Sequence, residues 1–284
     1  MRRILFLIVI SFLFSFSHQA FGFKLPTKID YVRAQNDVYF TADYDFTGIL
    51  ALSNCSGSLV RYDNSLDTDK AMVLTNGHCV SFMSPDTVII VNRASSKRFS
   101  VLDSGGSSLG TVRAEMLHFA TMTHTDLAIY RLEETYDEIY SRFATEALTF
   151  AREYAEIGTP IEVISGYWER GYSCSVEAIV YKLKEYNWTW KDSIRYSRPG
   201  CETIGGTSGS PVIEAGTRIV IGVNNTGNEN NERCTLNNPC EVDEEGNISY
   251  VQGYSYGQQT SWIYGCLNDN REIDVNIEGC KLKP

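Results

Sequence analysis

Gly205-Gly206-Thr207-Ser208-Gly209-Ser210-Pro211, set between Ile204 and the apolar pair Val212-Ile213, is the stretch on which the reading of this chain turns. Glycine at 206 and 209 lets the backbone take turns that a Cβ forbids. A tight loop that opens into a strand can expose the Ser208 hydroxyl. It also aims the N–H groups of Gly206 and Ser208 at one point, the arrangement that stabilises negative charge developing on a carbonyl oxygen. Gly/Ser turns are common in all-β proteins, so the stretch needs partners elsewhere in the chain before it means chemistry.

Two other stretches supply them. Leu74-Thr75-Asn76-Gly77-His78-Cys79-Val80 ends an apolar run on a histidine beside a cysteine, and Thr125-Asp126-Leu127-Ala128-Ile129-Tyr130 puts an acid at the head of a strand-like run. A serine hydroxyl is a poor nucleophile until a base takes its proton, and the base needs an acid to fix its tautomer and stabilise its charged form. His78, Asp126 and Ser208 are the candidates for base, acid and nucleophile. His118 and His124 compete with His78, Asp103 and Asp137 with Asp126, and Ser210 with Ser208, but none of these has a comparable motif around it.

The three motifs, in the order His, Asp, Ser, resemble those of the trypsin/chymotrypsin-like serine peptidases, which read approximately T-A-x-H-C, D-I-A-L and G-D-S-G-G-P. Cys55-Ser56-Gly57-Ser58-Leu59-Val60 is similar to that family's C-G-G-S-L-I strand. The resemblance implies an all-β fold of two six-stranded antiparallel β-barrels with the catalytic groups at their seam, followed by a short C-terminal helix and tail. It implies a secreted serine endopeptidase working through an acyl-enzyme, with no cofactor. It also implies a Cys55–Cys79 bridge beside the histidine, and it puts Glu202 and Thr203 at the floor of the primary specificity pocket, where a carboxylate favours lysine or arginine. Asn224 and Asn225 would line the pocket wall. The chain departs from the family at Thr207, where aspartate is usual, and at Ser210, where the second glycine stands. It also lacks an Ile-Val-Gly-Gly start ahead of Cys55. Thr207 offers no charge to a buried N-terminal ammonium, so neutral hydrogen bonds are expected to hold the nucleophile loop without activation by an inserted terminus.

The remaining organisation is read from composition. Residues 1–20 have a basic start, an apolar run from Ile4 to Phe16 and a small residue at Ala20, which describes a secretory signal peptide. The run is short of the roughly 20 residues a membrane span needs. Residues 21–36 form an N-terminal segment. Short strands with turn signals fill 37–135 and again 160–256, the expected first and second barrels. Residues 136–159, rich in acids, connect them, with some helix. Residues 257–284 hold the C-terminal helix and tail. Residues 224–232 read as a polar loop and 241–246 as a solvated acidic one.

All eight cysteines lie beyond the signal segment: Cys55, Cys79, Cys174, Cys201, Cys234, Cys240, Cys266 and Cys280. An even number behind a signal peptide reads as disulfides in an oxidising compartment, secreted or periplasmic, although spacing alone does not decide connectivity. The six outside the Cys55–Cys79 pair are assigned in chain order. With no Cys-x-x-Cys spacing and few histidines, no metal site is expected. The formal charge of −10, more negative once Arg2 and Arg3 are removed, argues against nucleic acid and anionic membranes as partners. The expected partners are polypeptide substrates, bound by a monomer. Other classes fit less well. An α/β-hydrolase needs Gly-x-Ser-x-Gly and the order Ser, acid, His. A catalytically inactive trypsin-like binding module would keep the barrels and lose the triad, and all three triad residues are present.

Overall fold

The protein's structure, a computed structural model, describes residues 44–282. The signal segment, the N-terminal segment and the first residues assigned to the first barrel lie outside the described residues.

Seven strands come first: β1 (Ile49–Ala51), β2 (Ser56–Arg61), β3 (Lys70–Thr75), β4 (Val88–Ala94), β5 (Arg98–Leu102), β6 (Ser108–Thr121) and β7 (Leu127–Thr135). Six of them close a ring in which every neighbour is antiparallel: β1 pairs β5, then β6, β7, β3, β2 and β1 again. Strand β4 pairs antiparallel with the second half of β6, Met116 to Thr121. The helix α1 (Tyr136–Phe143) follows, started by a capping box in which Thr135 and Glu138 satisfy each other's backbone N–H. Next comes β8 (Leu148–Phe150), then a second set: β9 (Pro160–Ser165), β10 (Arg170–Glu185), β11 (Trp188–Tyr196), β12 (Pro211–Glu214), β13 (Ile219–Gly227), the small hairpin β14 (Cys240–Val242) and β15 (Ile248–Ser249), and β16 (Ser255–Gln259). A second closed antiparallel ring runs β9, β10, β11, β16, β13, β12 and back to β9. Strand β8 runs parallel to β2 on one side and to β13 on the other, so it joins the two barrels into one sheet.

Closing both rings removes the long sheet edges that would otherwise invite aggregation. The interior of the first barrel takes Leu59, Ala71, Val73, Phe99, Val112 and Tyr130, and that of the second takes Ile161, Val163, Tyr172, Ile194 and Val212. The other face of the first barrel is not solvated. Met72, Leu74, Leu127 and Ile129, which alternate with the inward residues, are buried against Trp262, Ile263, Ile273 and Val275 from the C-terminal segment. Strands buried on both faces read as unbroken apolar runs, which is why 71–74 and 127–130 show no alternation. Each such side chain contributes about 1.5–3 kcal/mol relative to exposure.

Three details differ from the sequence reading. The C-terminal helix is a six-residue 3₁₀ turn, Ser261–Cys266, because Gln258 and Gln259 are taken into β16. The polar run from Asn224 is not a loop at its start: β13 continues to Gly227, and Asn224, Asn225 and Asn228 are buried. Asn228 survives burial because its amide donates to the carbonyls of Glu232 and Pro239 and accepts from the Asn231 N–H. In the acidic run, Glu241 is drawn inward by Arg195 and the Tyr256 hydroxyl, each at 2.9 Å.

Four disulfides join Cys55 to Cys79, Cys174 to Cys201, Cys234 to Cys240 and Cys266 to Cys280. The first ties the start of β2 to the residue after His78. The last pins the tail that covers the first barrel.

Candidate active site

His78 sits where β3 has just ended. The chain turns at Asn76 and Gly77, with the N–H groups of Cys79 and Val80 donating back to the Asn76 and Gly77 carbonyls. Gly77 is obligatory: a Cβ there would lie 2.1 Å from the Thr121 carbonyl oxygen. Asp126 precedes β7, the neighbour of β3, and the Asn76 amide donates to its carbonyl at 2.8 Å. Sheet pairing therefore brings together two residues that are distant in sequence. The Asp126 carboxylate is wholly buried and both its oxygens are used. Oδ1 accepts from the His78 backbone N–H at 3.1 Å, and Oδ2 accepts from His78 Nδ1 at 2.7 Å. With Nδ1 donating, Nε2 is the acceptor that faces away from Asp126. Burial is the largest influence on the imidazole and pushes its pKa down. The charge and hydrogen bond of Asp126, with the more distant charge of Glu185, outweigh it and leave the pKa above the ordinary histidine value.

Ser208 lies in the loop between Cys201 and β12, locked to both barrels. The Ser56 N–H donates to the Ser208 carbonyl at 2.8 Å, and the Ser56 hydroxyl donates to the Gly206 carbonyl at 3.2 Å. The Gly209 N–H donates to the Asn224 carbonyl on the other side. Gly206 and Gly209 both have positive φ, +91° and +82°. A Cβ on Gly209 would fall 2.2 Å from the Ser56 carbonyl oxygen, so this contact between the barrels admits only glycine. Among the described residues the N–H groups of Gly206 and Ser208 have no protein acceptor, while that of Thr207, between them, donates to the Ile204 carbonyl. Thr207 is buried, with its hydroxyl 3.5 Å from that of Tyr172.

His78, Asp126 and Ser208 line one cleft, together with Thr203, Asn224 and Asn225. The Ser208 hydroxyl donates to the Asn225 carbonyl at 3.2 Å. His118 and His124 are elsewhere: His118 accepts from Ile273 in the tail, and the His124 carbonyl accepts from Lys191. Glu202 is also not where the resemblance puts it. It is exposed, its Oε2 accepts from the Gly200 N–H at 2.9 Å, and it is not among the residues lining the cleft. The loop closed by the Cys174–Cys201 bridge turns there, and the carboxylate caps that turn.

Besides Asp126 and Glu229, an acid that does line the cleft is Glu185, at the end of β10, with Trp188 and Trp190 of β11 beside it. The sequence reading passed it over. Its signal was present: in Leu183-Lys184-Glu185 the acid shares the inward register of a buried leucine. Phe82 stacks on His78 with ring centroids 6.0 Å apart and touches Trp188, forming an aromatic rim. The sulfurs nearest His78, those of Cys55 and Cys79, are joined to each other and offer no thiolate to a metal.

Two closed six-stranded barrels thus carry a histidine–aspartate pair and a serine on one cleft. Residues 55–223, more than half of the chain, match the family described as the trypsin-like peptidase domain, and the chain belongs to that family. Among solved structures it is similar to the protease domain of MamO from Magnetospirillum magneticum, at 13% identity and a TM-score of 0.46, covering 78% of this chain and 97% of that one. It is also similar to Nocardiopsis protease, at 15% identity and TM-score 0.42, with 76% and 92% covered. For Thermobifida fusca protease A the values are 17%, 0.39, 77% and 92%. No curated protein sequence matches the chain.

Proposed function

We propose that this protein is an exported serine endopeptidase. Ser208 attacks the carbonyl of the cleaved bond while His78 Nε2 takes its proton. Asp126 holds the imidazole in the tautomer that leaves Nε2 free and stabilises the imidazolium that forms. The N–H groups of Gly206 and Ser208 receive the oxyanion. His78 then gives its proton to the leaving amine, and water releases the acyl group by the same route. The observation that carries this reading is the 2.7 Å bond from His78 Nδ1 to Asp126 on the cleft that Ser208 also lines. Four disulfides favour an oxidising compartment, secreted or periplasmic. No helix among the described residues is long and apolar enough to cross a membrane.

A second reading, an inactive binding module, draws on the Ser208 hydroxyl bonding to the Asn225 carbonyl in place of His78. Rotation about the Ser208 Cα–Cβ bond frees the hydroxyl from Asn225, and catalytic hydrogen bonds commonly tighten only when substrate binds. A fluorophosphonate probe decides between the two. Covalent labelling that maps to Ser208 is the expected result, and an unlabelled, folded protein that also leaves peptides uncut supports the binding module. Two forms should be labelled in parallel, one starting at Phe21 and one with a short extra N-terminal extension. Thr207 is buried and uncharged, so both are expected to react at similar rates. Reaction only after trimming to one defined terminus would mean that an inserted ammonium is required after all.

A further inference from the structure

The wall of the cleft beside the triad carries polar groups whose capacity the protein itself does not use. Glu185 is 4% exposed; its Oε1 accepts from the Asn237 N–H at 2.9 Å, and its Oε2 has no partner among the described residues. Asn224 and Asn225, 2% and 3% exposed, leave both side-chain carbonyl oxygens and the Asn225 amide nitrogen unpartnered, and the indole N–H of Trp190 is likewise unused. All four residues line the same cleft. Buried polar groups are normally satisfied, so a concentration of exceptions on one surface points to a ligand that completes them.

Charge says which ligand. The lining contains Asp126, Glu185 and Glu229 and no lysine or arginine. Burial raises the pKa of Glu185, and its hydrogen bonding and the His78 charge only partly oppose it. A buried carboxylate in that condition lacks a cation. Geometry then separates the two cations a peptide offers. A guanidinium prefers both oxygens of a carboxylate, and Glu185 has one already engaged. An ammonium is a compact charge with three donors, which matches Glu185 Oε2 and the side-chain oxygens of Asn224 and Asn225. The indole walls of Trp188 and Trp190 suit the apolar stem of a lysine.

Position follows from contacts. Glu185 pairs with Trp188 across the β10–β11 hairpin, Trp188 touches Phe82, and Phe82 stacks on His78. Glu185 therefore belongs to the histidine side of the cleft, Asn224 and Asn225 meet the Ser208 loop through their backbone carbonyls, and Thr203 to Gly205 lie in the segment that leads directly to Ser208. Resting on the peptidase reading for the identity of the ligand, we propose that Glu185, Asn224 and Asn225 form a subsite for a lysine ammonium of the polypeptide substrate. The lysine is at a position neighbouring, and not bearing, the carbonyl that Ser208 attacks.

The test uses fluorogenic peptides that carry lysine, norleucine or acetyl-lysine at one position at a time. At a neighbouring position the unmodified protein is expected to cleave the lysine peptide at least about tenfold better, in kcat/KM, than its norleucine and acetyl-lysine counterparts. Glu185→Gln should bring that ratio close to one. Ratios near one in the unmodified protein, a lysine preference confined to the attacked residue, or a preference that survives Glu185→Gln would each overturn the proposal. If the glutamine variant does not fold, the ratios of lysine to norleucine and to acetyl-lysine in the unmodified protein still decide it, since the first removes the ammonium without adding bulk and the second neutralises it. If nothing is cleaved and Ser208 is not labelled, the peptidase reading fails by itself. Calorimetric titration of the lysine and norleucine peptides onto Ser208→Ala protein then tests the subsite without catalysis: tighter binding of lysine upholds it, and equal binding removes it.

Discussion

The cleft has two walls built on opposite rules. On the first-barrel wall, Asp126 is wholly buried with both carboxylate oxygens engaged by one histidine. On the second-barrel wall, Glu185 is nearly as buried with one oxygen engaged, and Asn225 has neither side-chain polar atom partnered. The difference separates two jobs that buried polar groups can have. A group that must hold a partner in one tautomer and one orientation works best when the protein satisfies it completely beforehand. A group that meets a ligand keeps capacity in reserve, at a cost in stability.

The sharpest way to break that comparison is to remove the members of the satisfied wall. Ser208→Ala or His78→Ala should lower turnover by on the order of 10⁶, with the double variant no worse than either alone because the residues act as a unit. Asp126→Asn keeps the shape and loses the correct tautomer, and should cost about 10⁴. Steady-state kinetics with folding checked by circular dichroism measure both. Near-full activity in Ser208→Ala would end the assignment.

Next in size is the bridge beneath the histidine. Replacing Cys55 and Cys79 together by alanine frees a loop that spans 24 positions. The expected loss is about 2–5 kcal/mol in denaturant unfolding, with activity falling as His78 loses its anchor. An unchanged midpoint would show that the histidine wall does not depend on the disulfide.

The smallest effect links the walls. The proposed mechanism requires neutral His78, whose pKa lies above the ordinary value, so kcat/KM should fall with decreasing pH earlier than an unperturbed histidine would dictate. The charge of Glu185 contributes to that elevation, though less than Asp126. Glu185→Gln removes a negative charge, so the imidazolium is less favoured and the acid limb should move to lower pH. A limb that stays in place would mean that Glu185 is not ionised when the enzyme works. For stability the sign is opposite: the raised pKa stabilises the fold while His78 is protonated, and that contribution is lost as pH rises through it.

Much of the wall that carries His78, Asp126 and the Ser208 loop was legible because its demands are local. Gly77, Gly206 and Gly209 stand where a backbone passes too close for a Cβ, or takes a positive φ, and such demands leave a glycine in the sequence wherever they occur. The second-barrel wall was not legible in the same way. Asn224, Asn225 and Asn228 have the composition of a loop and lie buried at the end of β13 and just beyond it. Glu202, which the resemblance alone put at the pocket floor, caps a turn instead, accepting from the N–H of Gly200.

The sequence by itself determined the all-β character, the motif order His78, Asp126, Ser208 and the turns that present them, since glycine placement and apolar runs act over a few residues. Tertiary structure alone decided which acid faces the cleft, which asparagines are buried, and that the tail from Trp262 to Leu282 packs on the outer face of the first barrel. Burial of a polar side chain depends on partners brought from distant parts of the chain. Glu185 meets Asn237, and its carboxylate feels His78 and Asp126, only after two barrels have closed and met.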